Sequence, residues 1–152
     1  MVLAAGRGAI VHIASISALH PAARQPPYGA IKAAVIHYTA TQAAMYAKDR
    51  IRVNCIAPGA IKTDALATVL TPEIEQAMLK HTPLGRLGEA DDIANAALFL
   101  CSPAASLIAG TDILVDALNL SGRQVVSGGP DRHSQNGPRN RARNQSQLRV
   151  TE

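Results

Sequence analysis

Apolar and polar positions alternate along the chain in blocks whose lengths and residue types separate strands from helices. The run AIVHIA, residues 9–14, is rich in β-branched residues and bounded by Gly8 and Ser15, which predicts a strand buried on both faces. IRVNCIA, residues 51–57, has the same character and stops at Pro58-Gly59. Between them, after Pro26-Pro27, an Ala-rich segment predicts a helix over 28–48, with KDR at 48–50 marking its end. Ile31, Val35, Tyr38 and Met45 recur on one face of that helix at helical spacing, interrupted only by Gln42. Thr71-Pro72-Glu73 opens a short helix to about Lys80, with Thr71 as N-cap. Glu89 begins another that runs through IANAALFLC and ends near Ser102-Pro103. ILV at 113–115, after a turn at Gly110, predicts a third buried strand.

Strand, helix, strand, helices, strand is the order of an α/β fold with a parallel sheet. A βαβ crossover makes its two strands parallel, so the strand ends at Ser15 and Ala57 fall on one edge of the sheet. Open α/β sheets bind ligands outside the carboxyl ends of their strands. Ser15, Tyr28 and the Pro58-Gly59 loop are all expected there. Near the end of the chain, AGTDILVD (109–116) and SGRQVVSG (121–128) share a pattern at a 12-residue offset, and only one can be the last strand. The stronger apolar run selects 113–115, paired beside 51–57, with everything beyond about Leu120 loose.

Composition sharpens this picture. With 152 residues, 47% hydrophobic and 17% charged, the chain suits one soluble domain, and its longest apolar stretches fall short of a membrane span. The whole net charge of +4 resides in residues 121–152, where Arg123, Arg132, Arg139, Arg141, Arg143 and Arg149 face only Asp131 and Glu152. That segment has no aromatic residue and is rich in Gly, Pro, Asn, Gln and Ser, so it is expected to be a disordered basic tail following a domain at 1–120. Lacking stacking aromatics, it is a poor nucleic-acid binder. The opening residues show no secretory leader, which places the chain in the cytoplasm. Cys55 and Cys101 are far apart in apolar runs and read as small core residues. The five histidines have no ligand-like spacing, so no metal is expected.

Tyr28 and Lys32 lie four residues apart, one helical turn on one face. A phenol ordinarily titrates near pH 10, and a neighbouring ammonium favours its anionic form, so such a pair can exchange a proton with a carbinol or carbonyl oxygen. Ser15 would hold the same oxygen through its hydroxyl.

Ser15, Tyr28 thirteen residues later, Lys32, the segment NCIAPGAIKT (54–63) and the segment TPLGRLGEADDIANAALFLCSPAAS before AGTDILVD together resemble the short-chain dehydrogenase/reductase family, from about Arg7 to Asp116. The resemblance implies a Rossmann-type sheet, catalytic roles for Ser15, Tyr28 and Lys32, and a nicotinamide site formed by Tyr28, Lys32, Pro58, Gly59, Ile61 and Thr63. It further implies NAD or NADP as cofactor, with NAD slightly favoured, a small alcohol or ketone substrate, and a homo-oligomer. From Ile51 onward the chain is similar to bacterial 7α-hydroxysteroid dehydrogenases, which implies oxidation of a secondary steroid alcohol.

The departures point to the carboxyl-terminal half of such an enzyme. The family opens with a strand and a T-G-x-x-x-G-x-G turn that receives the pyrophosphate, and this sequence contains no such turn, nor the family's Asn-Asn-Ala-Gly segment or catalytic Asn. Ile31 replaces the small hydroxyl residue common before the Lys. Two readings stay open: an NAD(P)-dependent oxidoreductase working as part of a longer or complemented protein, or a catalytically incompetent truncated member acting as an oligomerisation or interaction module through the 28–48 helix.

Overall fold

The computed structural model describes residues 7–21, 23 and 25–119. Three strands, β1 (Gly8–Ile13), β2 (Ile51–Pro58) and β3 (Asp112–Val115), form a sheet in the order β1-β2-β3, parallel throughout. Gly8 pairs with Ile51 and Ile13 with Ile56, while Cys55 pairs with Asp112 and Pro58 with Val115. The flanking helices are α1 (Pro26–Tyr46), α2 (Asp64–Ala67), α3 (Pro72–Leu79) and α4 (Ala90–Cys101), with single 3₁₀ turns at Ile16–Ala18, Ala47–Asp49 and Pro103–Ala105. This is part of a Rossmann-type fold, α/β with a parallel sheet between helical layers. The last strand is at 112–115 as expected; Val125, Val126 and the predicted tail at 121–152 lie outside the described residues.

The central strand holds the core together. From Val53 to Ala57 every residue of β2 is buried, and the alternation of its side chains feeds two clusters. Ile51 and Val53 pack with Ala43 of α1, supported by Ile10 and Tyr46, whereas Ile56 packs on the other side with Leu100 of α4 and with Ala105. α1 and α4 therefore cover opposite faces of the sheet. Asn54 is buried yet satisfied: its Nδ2 donates to the Ile108 carbonyl at 2.9 Å and its Oδ1 accepts from the Thr111 N–H at 3.3 Å, tying β2 to the approach of β3.

One expectation, that Cys101 is a core residue, is corrected. α1 buries Gly29, Thr39 and Ala43, while Ile31 is 64% exposed, Tyr38 55% and Met45 56%. Small side chains let the helix backbone approach the sheet closely, and the bulky residues are left pointing outward. Cys101 is exposed at the end of α4, whereas Cys55 is buried, with its thiol pKa pushed up by that burial.

Candidate active site

The carboxyl ends of the strands gather the predicted residues. Ser15 follows β1 at once and caps the first 3₁₀ turn, its Oγ accepting from the Ser17 N–H at 3.1 Å. The Ala14 N–H donates to the Ile56 carbonyl at 2.7 Å, which fixes this corner to β2. Ser15 is 9% exposed, so its hydroxyl sits in a defined position rather than on a mobile surface.

α1 starts at Pro26-Pro27, where missing N–H groups do no harm, and so places Tyr28 in its first turn. Lys32, one turn on, reaches back: its Nζ donates to the Ile13 carbonyl at 2.9 Å and lies 5.7 Å from the centre of the Tyr28 ring. The ammonium thus bridges the end of β1 and the phenol. Tyr28 itself is 41% exposed, open to a ligand at this edge.

After β2 the chain turns at Gly59, whose N–H donates to the Val115 carbonyl at 3.0 Å. Ile61 then forms a parallel bridge with Gly88. The Gly88 N–H donates to the Ala60 carbonyl at 2.9 Å and the Lys62 N–H to the Gly88 carbonyl at 2.7 Å, so the bridge occupies the groups on either side of Ile61. Among the described residues, the Ile61 N–H and C=O have no backbone partner and face the other way. Thr63 caps α2 by accepting from the Leu66 N–H at 3.2 Å, which leaves its own O–H as a donor.

This loop is braced from below. Arg86 forms a two-pronged ion pair with Asp92, at 2.7 and 2.8 Å, and the Glu89 N–H donates to Asp92 Oδ2 at 2.8 Å. The Arg86 guanidinium and that N–H hold the Asp92 carboxyl far below the usual carboxylate range. Lys62 adds ion pairs to Glu75 of α3 and Glu89 at 3.5 and 3.8 Å. At Gly88 a β-carbon would meet the tip of the Ile61 side chain, which would have to turn aside. Among the described residues, no three His, Cys, Asp or Glu side chains assemble into a metal site, and no helix is long and apolar enough to cross a membrane.

Comparison with known proteins settles the lineage. Residues 1–117 match the family model described as enoyl-(acyl carrier protein) reductase. The fold overlays a short-chain type dehydrogenase/reductase from Mycobacterium ulcerans with a TM-score of 0.76 at 37% identity, over 80% of this chain and 45% of that one. The chain belongs to the short-chain dehydrogenase/reductase family. Within that family it is 53% identical over 110 residues to the 7α-hydroxysteroid dehydrogenase of Escherichia coli K12, which covers 72% of this chain and 43% of the relative. It also overlays a 7α-hydroxysteroid dehydrogenase solved with NADH and 7-oxo glycochenodeoxycholic acid, with a TM-score of 0.73 at 50% identity, over 76% of this chain and 46% of that one. The chain therefore spans less than half the length of these short-chain dehydrogenase/reductase relatives.

Of the seven predicted site residues, all stand at or just beyond the carboxyl edge of the sheet. The bracing by Arg86, Gly88 and Asp92 was not anticipated. Its only sequence signal was an acid three residues into the α4 start, a spacing shared by many ordinary helix caps.

Proposed function

We propose that this chain carries the catalytic edge of an NAD(P)-dependent oxidoreductase that interconverts a secondary alcohol and a ketone, with a hydroxysteroid as substrate. The observation that carries the reading is the position of Lys32 Nζ, held by the Ile13 carbonyl beside the Tyr28 ring, on the edge where Ser15 and the Ile61 backbone also lie.

The donor set suits the nicotinamide end of such a cofactor. A carboxamide has one donor group and one acceptor, and Ile61 offers an N–H and a C=O that no described backbone group takes up. Lys32 keeps two of its three donors for ribose hydroxyls, and Thr63 keeps its O–H. A bound NAD or NADP supplies hydride exchange at the carbon of the substrate; the NADH in the hydroxysteroid dehydrogenase structure favours NAD.

The residues of the chain manage the proton. Ser15 Oγ accepts one hydrogen bond from the Ser17 N–H, and its own O–H is the donor that holds the substrate oxygen. Tyr28 Oη takes the proton from that oxygen in alcohol oxidation and returns it in ketone reduction. Lys32, held by the Ile13 carbonyl beside the Tyr28 ring, orients the ribose. The hydroxysteroid assignment rests on the 53% identity with the E. coli enzyme.

The apolar face of α1, with Ile31, Tyr38 and Met45 exposed, fits a homo-oligomer contact in a soluble cytoplasmic enzyme. The same face supports the second reading, an assembly module without turnover. NAD-dependent oxidation of a 7α-hydroxysteroid, by the chain alone or complemented with a family-type amino-terminal half, distinguishes the two. Loss of that turnover in Tyr28→Phe is expected of the enzyme, and absence of turnover in both settings leaves the module.

A further inference from the structure

A cleft lies at the opposite end of the sheet. At the amino ends of β1 and β2 it opens, with a volume of about 690 Å³, between the turn after α1 and the end of α4. Arg7, Arg50 and Arg52 line it with Ser106, and no Asp or Glu does. Among the described residues, none of the three guanidinium groups is paired with a carboxylate.

The three arginines are not equivalent. Arg52 is stitched into the wall: its Nη1 donates to the Ile108 carbonyl and its Nη2 to the Ser102 carbonyl, both at 3.3 Å. It thereby occupies the Ser102 carbonyl at the end of α4 and the Ile108 carbonyl on the approach to β3, both of which would repel an anion. Arg7 and Arg50 line the cleft and make no side-chain hydrogen bond to a described residue, so their donors are not taken up by those residues. Arg50 also adopts the left-handed conformation, φ 55°, a position where glycine or asparagine is the unstrained choice.

We propose that this cleft binds a small diphosphate-bearing molecule, at a site separate from the carboxyl edge. Guanidinium forks match phosphate oxygens in pairs, and three of them around one concavity suit adjoining phosphates better than a single carboxylate. The charge is confined to a cleft with no aromatic side chain in its walls, unlike the extended, base-stacking surface a nucleic acid requires. β1 separates this site from Ser15 by six residues, about 20 Å of extended chain.

Titration calorimetry of the 152-residue chain with pyrophosphate, at near-physiological ionic strength, tests the proposal. One-to-one saturable binding is expected, weakened about tenfold or more in Arg50→Gly and in Arg7→Gln. Glycine suits φ 55°, so Arg50→Gly removes the charge without straining the fold, which circular dichroism verifies. Lys32→Ala, at the other edge, is expected to leave the affinity unchanged. Absence of saturable binding would overturn the proposal. So would an affinity indifferent to Arg7 and Arg50, which puts the anion on other basic groups, or one lost in Lys32→Ala, which moves it to the carboxyl edge.

Discussion

Gly59 sits so close to Asp116 that a β-carbon on the glycine would lie 2.8 Å from both the Cα and the Cβ of the aspartate. The contact joins the turn after β2 to the end of β3, and its partner is backbone that cannot swing aside. Gly59→Ala is therefore expected to destabilise the fold by about 1–3 kcal/mol, the usual range for overpacking. Urea unfolding of the two proteins measures it; equal midpoints would show that the turn relaxes freely.

The Arg86 to Asp92 pair makes stability depend on acid. A carboxyl whose folded pKa lies below its unfolded value stabilises fully above the ordinary carboxylate range, and this is lost as the pH falls through and below it. The melting temperatures of the native chain and Asp92→Asn are expected to differ most at neutral pH and to converge below about pH 4. A constant gap across that range would remove the ion pair from the explanation.

Asn54→Asp replaces the donor to the Ile108 carbonyl with a second oxygen and buries a charge between β2 and β3. A loss of about 3 kcal/mol or more is expected at neutral pH, where the carboxylate is ionised. Partial recovery on acidification, read by the same urea titration, would mark the charge as the cause.

In the complemented enzyme, Tyr28→Phe is expected to lower kcat by about 10²–10⁴, the range for losing a positioned acid or base. Lys32→Ala also removes the anchor on the Ile13 carbonyl, so it is expected to lower kcat and weaken NAD binding together. Near-normal turnover in Tyr28→Phe would refute the proton-transfer role.

The 152-residue chain by itself is expected to bind NAD weakly. Ile61, Thr63 and Lys32 can serve the nicotinamide and its ribose, but the sequence holds no T-G-x-x-x-G-x-G turn for the pyrophosphate. Saturation at micromolar NAD in a calorimetric titration of Arg50→Gly, which removes the amino-edge cleft from the measurement, would contradict this.

The strands were legible because their residues leave little choice: β-branched runs that end at Ser15 or Pro58-Gly59 suit a buried parallel sheet, and β1 and β2 were placed to within a residue or two. Spacing brought Ser15, Tyr28 and Lys32 to one edge, since two parallel strands and one helix turn leave them nowhere else to go. The contact face of α1 was not legible, because apolar periodicity marks the largest side chains, while contact with the sheet is made by Gly29, Thr39 and Ala43. Thr39 is an instructive case: its hydroxyl is 2.9 Å from His12 Nδ1 and donates to the Val35 carbonyl, so a polar residue is buried without penalty by partners 27 and 4 residues away. The Gly88 bridge was hidden for a related reason, as it joins segments whose proximity exists only after folding.

β1 lies at the margin of the sheet, with β2 on one flank and no strand on the other among the described residues. Its sequence, GAIVHI, has the composition of an interior strand and none of the lysines, prolines or bulges that keep sheet margins from joining. Its outward amides and carbonyls form a template for a further parallel strand. In concentrated solution the isolated chain is therefore expected to self-associate through its backbone, and a short peptide that docks along β1 to improve its solubility.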